Sequence, residues 1–124
     1  MATIFERYGG FAKVSRIVSA FYGRILDSPI TSPYFEKVDM KLLLDHQTKF
    51  VASLMGGPAS YTHEHLQRVH HHLQITDPAF VEVVDMLRDS LEDFDMDETD
   101  ISVVMQKVIS AKPYIVSTGV PRGT

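Results

Sequence analysis

Apolar residues recur along this 124-residue chain at the spacing of one face of an α-helix. In the clearest run they fall at offsets 0, 3, 4, 7, 8 and 11, which lie on one side of a helix with about 3.6 residues per turn. That run consists of Val14, Ile17, Val18, Phe21, Tyr22 and Ile25. No segment keeps the alternation of a β-strand for more than a few residues. The pattern predicts an all-α protein.

Capping and helix-breaking residues predict where the first helices begin and end. The pair Gly9-Gly10 permits a sharp turn into the first long helix. Pro29 and Pro33 limit the segment after it to an irregular link or a single helical turn. Asp39 is a candidate N-cap for a second long helix, which we expect to stop at Gly56-Gly57-Pro58.

The second half of the chain predicts three further helices. Apolar spacing indicates a short helix within residues 66–73. Asp77 is a candidate N-cap for the next helix, with Pro78 in its first helical position. The acidic stretch 92–100 reads as an exposed link. The last helix has apolar residues at Ile101, Val104, Met105, Val108 and Ile109, and we expect Pro113 to kink or end it.

The composition excludes several classes of function. The chain has 12 basic and 16 acidic residues, and its Lys and Arg residues form no cluster, so we expect no nucleic-acid partner. It contains no cysteine, which excludes disulfides, a thiolate nucleophile and cysteine-ligated metal centres. No apolar run approaches the roughly 20 residues of a membrane helix, and charged residues occupy the place of a signal peptide's apolar core. We therefore expect a cytoplasmic protein with no membrane association.

Three polar residues interrupt the apolar stripes. They are Tyr22 in the first long helix, Gln47 in the second and His70 in the short one. Each alone is compatible with a structural role, since a tyrosine or histidine at the edge of a core often finds a backbone partner. Together, a phenol and an amide facing an imidazole from another helix suit a metal-centred cofactor held between helices.

The residues around these three positions carry a resemblance to a known family. They are Tyr8-Gly9-Gly10, Phe21-Tyr22, Tyr34-Phe35, Gln47, Gly56-Gly57-Pro58, Tyr61 and Val69-His70, followed by Leu73, Ile75 and Phe80. In this order and spacing they resemble the group I truncated haemoglobins. The resemblance covers roughly residues 2–116. We expect a truncated globin domain over residues 1–118 and a flexible C-terminal tail at 119–124.

The resemblance implies a shortened globin fold, a two-over-two α-helical sandwich that encloses one haem b (iron protoporphyrin IX). His70 matches the proximal histidine that binds the iron. Tyr22 and Gln47 match the distal pair that hydrogen bonds the ligand. The remaining residues that match the haem pocket are Phe21, Phe35, Leu43, Phe50, Leu66, Ile75, Phe80 and Val83.

His70 is one of three consecutive histidines, and the helical spacing selects the same histidine as the family motif. Leu66 lies four residues before it and Leu73 three residues after it, so the three share one face. His71 and His72 lie off that line, and we expect them to be exposed.

His46 has two possible uses. It lies three residues after Leu43 and four before Phe50, on the side of the stripe nearest a haem edge. It could be partly exposed or contact a haem propionate, or it could coordinate the iron as a sixth ligand, as the matching residue does in some cyanobacterial and algal relatives. Coordination would reduce the affinity for an external ligand in proportion to the fraction of molecules that are open.

Two departures from the family pattern limit what the resemblance implies. Val51 stands where some relatives have a phenylalanine that gates a ligand tunnel, so gated access is in doubt here. The final helix lacks the late histidine to which certain cyanobacterial relatives attach the haem. We therefore expect haem without covalent attachment.

The resulting hypothesis is a haem protein that binds dioxygen, nitric oxide or carbon monoxide and that could support nitric oxide detoxification with a separate electron donor or reductase. Two alternatives stay open. Five histidines within residues 63–72 could make a helical domain that binds divalent metals. The chain could also be a helical interaction module in which the three polar residues are structural.

Overall fold

The computed structural model describes residues 2–57 and 75–116 of the chain. These residues form helices and no strands, which confirms the all-α prediction. In chain order the elements are α1 (Ile4–Arg7), α2 (Gly10–Asp27), a 3₁₀ helix (Ser32–Phe35), α3 (Met40–Leu54), α4 (Asp77–Asp93), α5 (Glu98–Ser110) and α6 (Lys112–Ile115). No helix in the described part of the chain combines the length and hydropathy that a membrane crossing requires.

Helix α2 lies at the centre of the fold, because α1, the 3₁₀ helix, α3 and α4 all pack against it. Its six predicted core residues are all buried, so the periodicity identified this face correctly. The turn that leads into α2 needs the glycine pair, since Gly9 and Gly10 both have positive φ, at 95° and 68°. After α2, the 3₁₀ helix, which contains Pro33, is the single helical turn that was one of the two predicted alternatives.

Helix α3 begins and ends at the predicted residues. The Asp39 side chain accepts a hydrogen bond from the Leu42 amide, as an N-cap should. The helix ends at Leu54, and Gly56 follows with a φ of 83°. The fully buried residues of α3, Val51, Ala52 and Leu54, all lie in its last turn.

The N-cap of helix α4 lies one residue earlier than predicted. Thr76, and not Asp77, is the N-cap, because the Thr76 hydroxyl accepts a hydrogen bond from the Ala79 amide. Asp77 becomes the first helical residue, where its charge is favoured by the helix dipole. Its carboxylate also lies 3.1 Å from the Lys112 ammonium group of α6.

The acidic stretch 92–100 is not a uniformly exposed link, which corrects the prediction. Its first two residues complete α4, and its last three begin α5. Asp100 is only 7% exposed, because its carboxylate accepts hydrogen bonds from Arg7 and Tyr8. The Arg7 guanidinium lowers the pKa of the Asp100 carboxyl.

The apolar stripe of α5 was predicted one residue too long. Ile101, Val104, Met105 and Val108 are buried, but Ile109 is 55% exposed. Helix α5 ends at Ser110, and Pro113 occupies an early position of α6, so the predicted break is confirmed.

Three predicted features lie outside the described residues. They are the short helix within residues 66–73, the domain boundary at residue 118 and the tail at 119–124. Each remains a prediction.

Two glycine-to-alanine substitutions test the packing of this fold. At Gly57 a Cβ atom would lie 2.8 Å from the Ala52 carbonyl oxygen and 3.0 Å from the Phe5 ring, whereas at Gly23 in α2 it would meet nothing within 4 Å. We expect Gly57→Ala to lower the free energy of unfolding by about 1–3 kcal/mol. Gly23→Ala should raise it by about 0.5–1 kcal/mol, since alanine favours a helix. Urea denaturation measures both, and equal effects would contradict this packing.

Candidate functional site

Of the predicted polar site residues that the structure describes, Tyr22 is the most deeply buried. Helix α2 carries it on its buried face, where the side chain is 7% exposed. Its ring makes edge contacts with Phe21 at 5.0 Å and with Phe35 of the 3₁₀ helix at 5.6 Å, measured between ring centroids. Two aromatic neighbours therefore fix the direction in which the phenol points.

The Tyr22 hydroxyl donates no hydrogen bond to any residue in the described part of the chain. Burial raises the pKa of this phenol above its ordinary value of 10.0, so the hydroxyl stays protonated at physiological pH. The hydroxyl is thus a donor available to a ligand in the pocket.

Gln47 supplies the second predicted donor from α3. Its side chain is half-buried, and it forms no hydrogen bond with a residue of the ranges 2–57 and 75–116. Leu43 lies four residues before it and Phe50 three residues after it, and both are half-buried on the same side of the helix. Since α3 packs directly against α2, the two donors are carried by neighbouring helices.

The predicted pocket residues form one connected apolar group. Phe21, Tyr22 and Phe80 belong to the buried core, and the half-buried residues packed against that core include Phe35, Leu43, Phe50, Ile75 and Val83. The latter side chains are only half-buried and lie next to two polar donors. They can therefore contact the face of a large flat apolar group. The residues that the structure describes therefore fit a haem.

His46 lies beside this group on the outer side of α3. Its imidazole is exposed and forms no hydrogen bond or ion pair with a described residue. The neighbouring Leu42, Asp45 and Lys49 are also exposed, so His46 lies at the border between the half-buried and the exposed sides of the helix.

The proximal side of the predicted site lies outside the described residues. His70 and Leu66 both fall in the range 58–74, as do the other four clustered histidines. Within residues 2–57 and 75–116, no group of three or more His, Asp or Glu side chains is arranged to hold a metal ion. The assignments of His70 and Leu66 stay predictions.

Sequence reasoning missed the cluster of Arg7, Tyr8 and Asp100, which joins the first helix to α5. A signal for it existed, because Asp100 precedes Val104 by four residues and Val108 by eight, on the buried face of α5. A charged residue on such a face requires a partner.

A second missed contact lies beside the pocket. The Lys112 ammonium group of α6 is 5.9 Å from the centroid of the Phe80 ring, above its face. Together with its ion pair to Asp77, this contact fastens the start of α4 to α6.

Comparison with known protein families gives a match over nearly the whole chain. The family model for bacterial-like globins matches residues 3–116. The chain is 31% identical to the group 1 truncated haemoglobin LI410 of Chlamydomonas moewusii over 117 residues, which cover 93% of this chain and 68% of that protein. It is 30% identical to the group 1 truncated haemoglobin GlbN of Mycolicibacterium paratuberculosis over 114 residues, covering 92% and 84%.

Solved structures show the same fold. The truncated haemoglobin of Tetrahymena pyriformis in its Fe(III) form superposes with a TM-score of 0.81 at 24% identity, covering 94% of this chain and 99% of that one. The 2/2 haemoglobin of Synechococcus sp. PCC 7002, solved in the cyanomet state with covalently attached haem, gives a TM-score of 0.85 at 24% identity, covering 93% and 98%. These likenesses confirm the two-over-two helical fold.

Proposed function

The chain belongs to the bacterial-like globin family, as a group 1 truncated haemoglobin, and from this premise we propose that Tyr22 and Gln47 retain dioxygen in its haem pocket. Family membership establishes the coarser function: the chain binds haem b and, through it, small diatomic gases such as O2. The roles of individual residues and the reaction that they support are proposals.

When bound, haem supplies a ferrous iron that takes a diatomic gas as a ligand. We assign His70 to the proximal side of the haem, on its match to the family motif. Phe35, Leu43, Phe50, Ile75, Phe80 and Val83 would contact the apolar faces and edges of the ring.

One observation carries the proposal for the distal side. The Tyr22 phenol is buried, protonated and held between two aromatic rings, and its hydroxyl has no partner among the residues that the structure describes. Dioxygen gains partial negative charge in a ferrous haem pocket, and an O–H or N–H donor stabilises that charge. Carbon monoxide gains little negative charge, so Tyr22 and Gln47 would favour dioxygen over carbon monoxide.

The reaction that we propose for the oxygenated protein is the conversion of nitric oxide to nitrate. One O2, one NO and one electron would balance to one NO3⁻, and haem, when bound, would supply that electron. A separate electron donor must then return that electron. Because the globin match takes up residues 3–116, we assign the reductase to another protein or module.

The distal pair is tested by removing both donors. Tyr22→Phe with Gln47→Leu should speed the loss of oxygen roughly 10- to 100-fold, because two hydrogen bonds of about 1 kcal/mol each disappear. Stopped-flow displacement of oxygen by carbon monoxide measures the rate. The control is Gln106→Leu, which removes an exposed amide from α5 and should leave the rate unchanged. An oxygen off-rate within a factor of two of the parent would show that the pair does not govern retention.

His46 lies at the border between the half-buried and exposed sides of α3, and this position favours contact with the haem edge. Leu43, Gln47 and Phe50 form the half-buried side of α3, and His46 is turned about 100° from Gln47 toward the exposed side. We propose that the His46 imidazole contacts a haem propionate. The competing proposal, coordination of the iron in a six-coordinate state, requires the imidazole to turn inward past this side.

One substitution separates the two uses of His46. At the haem edge, His46→Leu should leave a water-bound ferric spectrum unchanged and weaken hemin binding by about two- to fivefold, the range of an exposed ion pair. Lys49→Leu is the control, since it removes an exposed cation from the same helix. A low-spin bis-histidine spectrum in the parent that His46→Leu converts to a water- or hydroxide-bound form would establish coordination instead.

A further inference from the structure

Helix α3 is anchored at its C-terminal end. Its fully buried residues lie at positions 51, 52 and 54, and no residue of its first eleven positions is fully buried. Gln47 lies one turn before Val51, on the less buried part of the helix. The position of the Gln47 amide therefore depends on how firmly the end of α3 is held.

Two contacts hold that end by satisfying carbonyl groups that a helix terminus leaves without partners. The Lys107 ammonium group of α5 donates a hydrogen bond to the Leu54 carbonyl at 3.2 Å. The Phe5 amide of α1 donates to the Met55 carbonyl at 2.9 Å. The second of these bonds depends on where α1 lies.

We call residues Thr3–Tyr8 the strap, because they run across the turn that ends α3. A Cβ atom at Gly56 would lie 3.3 Å from the Thr3 side chain, and one at Gly57 would lie 3.0 Å from the Phe5 ring, so the strap packs closely on that turn. Helix α1 has no fully buried residue of its own. Ile4, Phe5 and Tyr8 are only half-buried against the core, so the strap opens more readily than the core and depends more on its polar contacts.

The Asp100 carboxylate of α5 provides those contacts. It accepts two hydrogen bonds from the Arg7 guanidinium, at 2.7 and 2.9 Å, and one from the Tyr8 hydroxyl at 2.8 Å. The Tyr8 hydroxyl in turn accepts a hydrogen bond from the Asp97 amide at 3.0 Å. One nearly buried acceptor thus binds both residues at the end of the strap.

We propose that the strap, latched by Asp100, controls the end of α3 and thereby how firmly Gln47 holds a ligand in the pocket. When the latch opens, the Met55 carbonyl loses the Phe5 amide and the turn at Gly56-Gly57 is uncovered. The end of α3 can then move, and the Gln47 amide moves with it. This effect on the ligand rests on the proposed function, whereas the latch itself does not.

The latch is tested by Asp100→Asn in the haem-loaded protein, with Glu98→Gln as the matched control. Glu98 lies in the first turn of the same helix, carries the same charge and pairs with Arg88 instead of the strap. Hydrogen exchange should be about tenfold or more faster at the Phe5 amide in Asp100→Asn and unchanged in Glu98→Gln. Exchange within α2 should stay at the parent rate, which shows that the core remains folded.

The effect on the pocket is tested by the oxygen off-rate. We expect Asp100→Asn to raise it roughly threefold or more, and to have no effect in a Gln47→Leu background, since coupled residues are not additive. If Asp100→Asn does not fold, Arg7→Ala removes two of the three latch bonds at a residue that is 44% exposed.

Each result decides one part of the proposal. Unchanged exchange at Phe5 would overturn the latch. Faster exchange at the Phe5 amide with an unchanged oxygen off-rate would overturn the control of the pocket by the latch. An equal rise of the off-rate in the Gln47→Leu background would overturn it too. A failure of Gln47→Leu alone to change the off-rate would count against the proposed distal pair and leave the exchange result on the latch intact.

Discussion

The burial of one face of α2 is the interaction on which the rest of the structure depends. Its apolar stripe packs against α1, the 3₁₀ helix, α3 and α4, so these four elements are positioned relative to one helix. The same face ends in Tyr22 and Ile25, which places a phenol where the pattern otherwise requires an apolar side chain. The residue to which we assign ligand binding is therefore positioned by the same packing that holds the fold together. A change that loosens α2 would disturb both.

The sequence correctly predicted the features of the fold that depend on one local interaction. The stripe of α2, the Asp39 cap and the end of α3 before Gly56 each follow from periodicity, side-chain capping or backbone freedom. The cap of α4 was misassigned because Thr76 and Asp77 are both good caps, and only the bond from the Ala79 amide distinguishes them. Asp100 was misassigned because its burial depends on Arg7 and Tyr8, about ninety residues away in the chain. The register of Asp100 on the buried face of α5 indicates that it needs a partner, but no local pattern identifies Arg7 and Tyr8 as that partner.

The residues of the candidate site also differ in how well the sequence predicts them. Tyr22 and Gln47 could be predicted because each interrupts an apolar stripe, and the structure places both on neighbouring packed helices without partners among the described residues. The exposure of His46 was one of the alternatives that the sequence left open, since a residue on the shoulder of a stripe can lie on either side of the boundary. The distal pair that we propose thus combines a donor on the buried face of α2 with a donor on a half-buried part of α3, whose fully buried residues all lie in its last turn. This difference makes the fastening of α3 relevant to ligand binding.

The central claim is that His70 binds the haem on the side opposite Tyr22 and Gln47. Titration of the haem-free protein with hemin, followed by the ferrous carbonyl spectrum, tests it in the parent, His70→Gly and His71→Gly. We predict one haem per chain in the parent and in His71→Gly, with a histidine-ligated spectrum in both. His70→Gly should lose that spectrum and regain it when free imidazole is added. A histidine-ligated spectrum in His70→Gly without imidazole, or its loss in His71→Gly, would contradict the account.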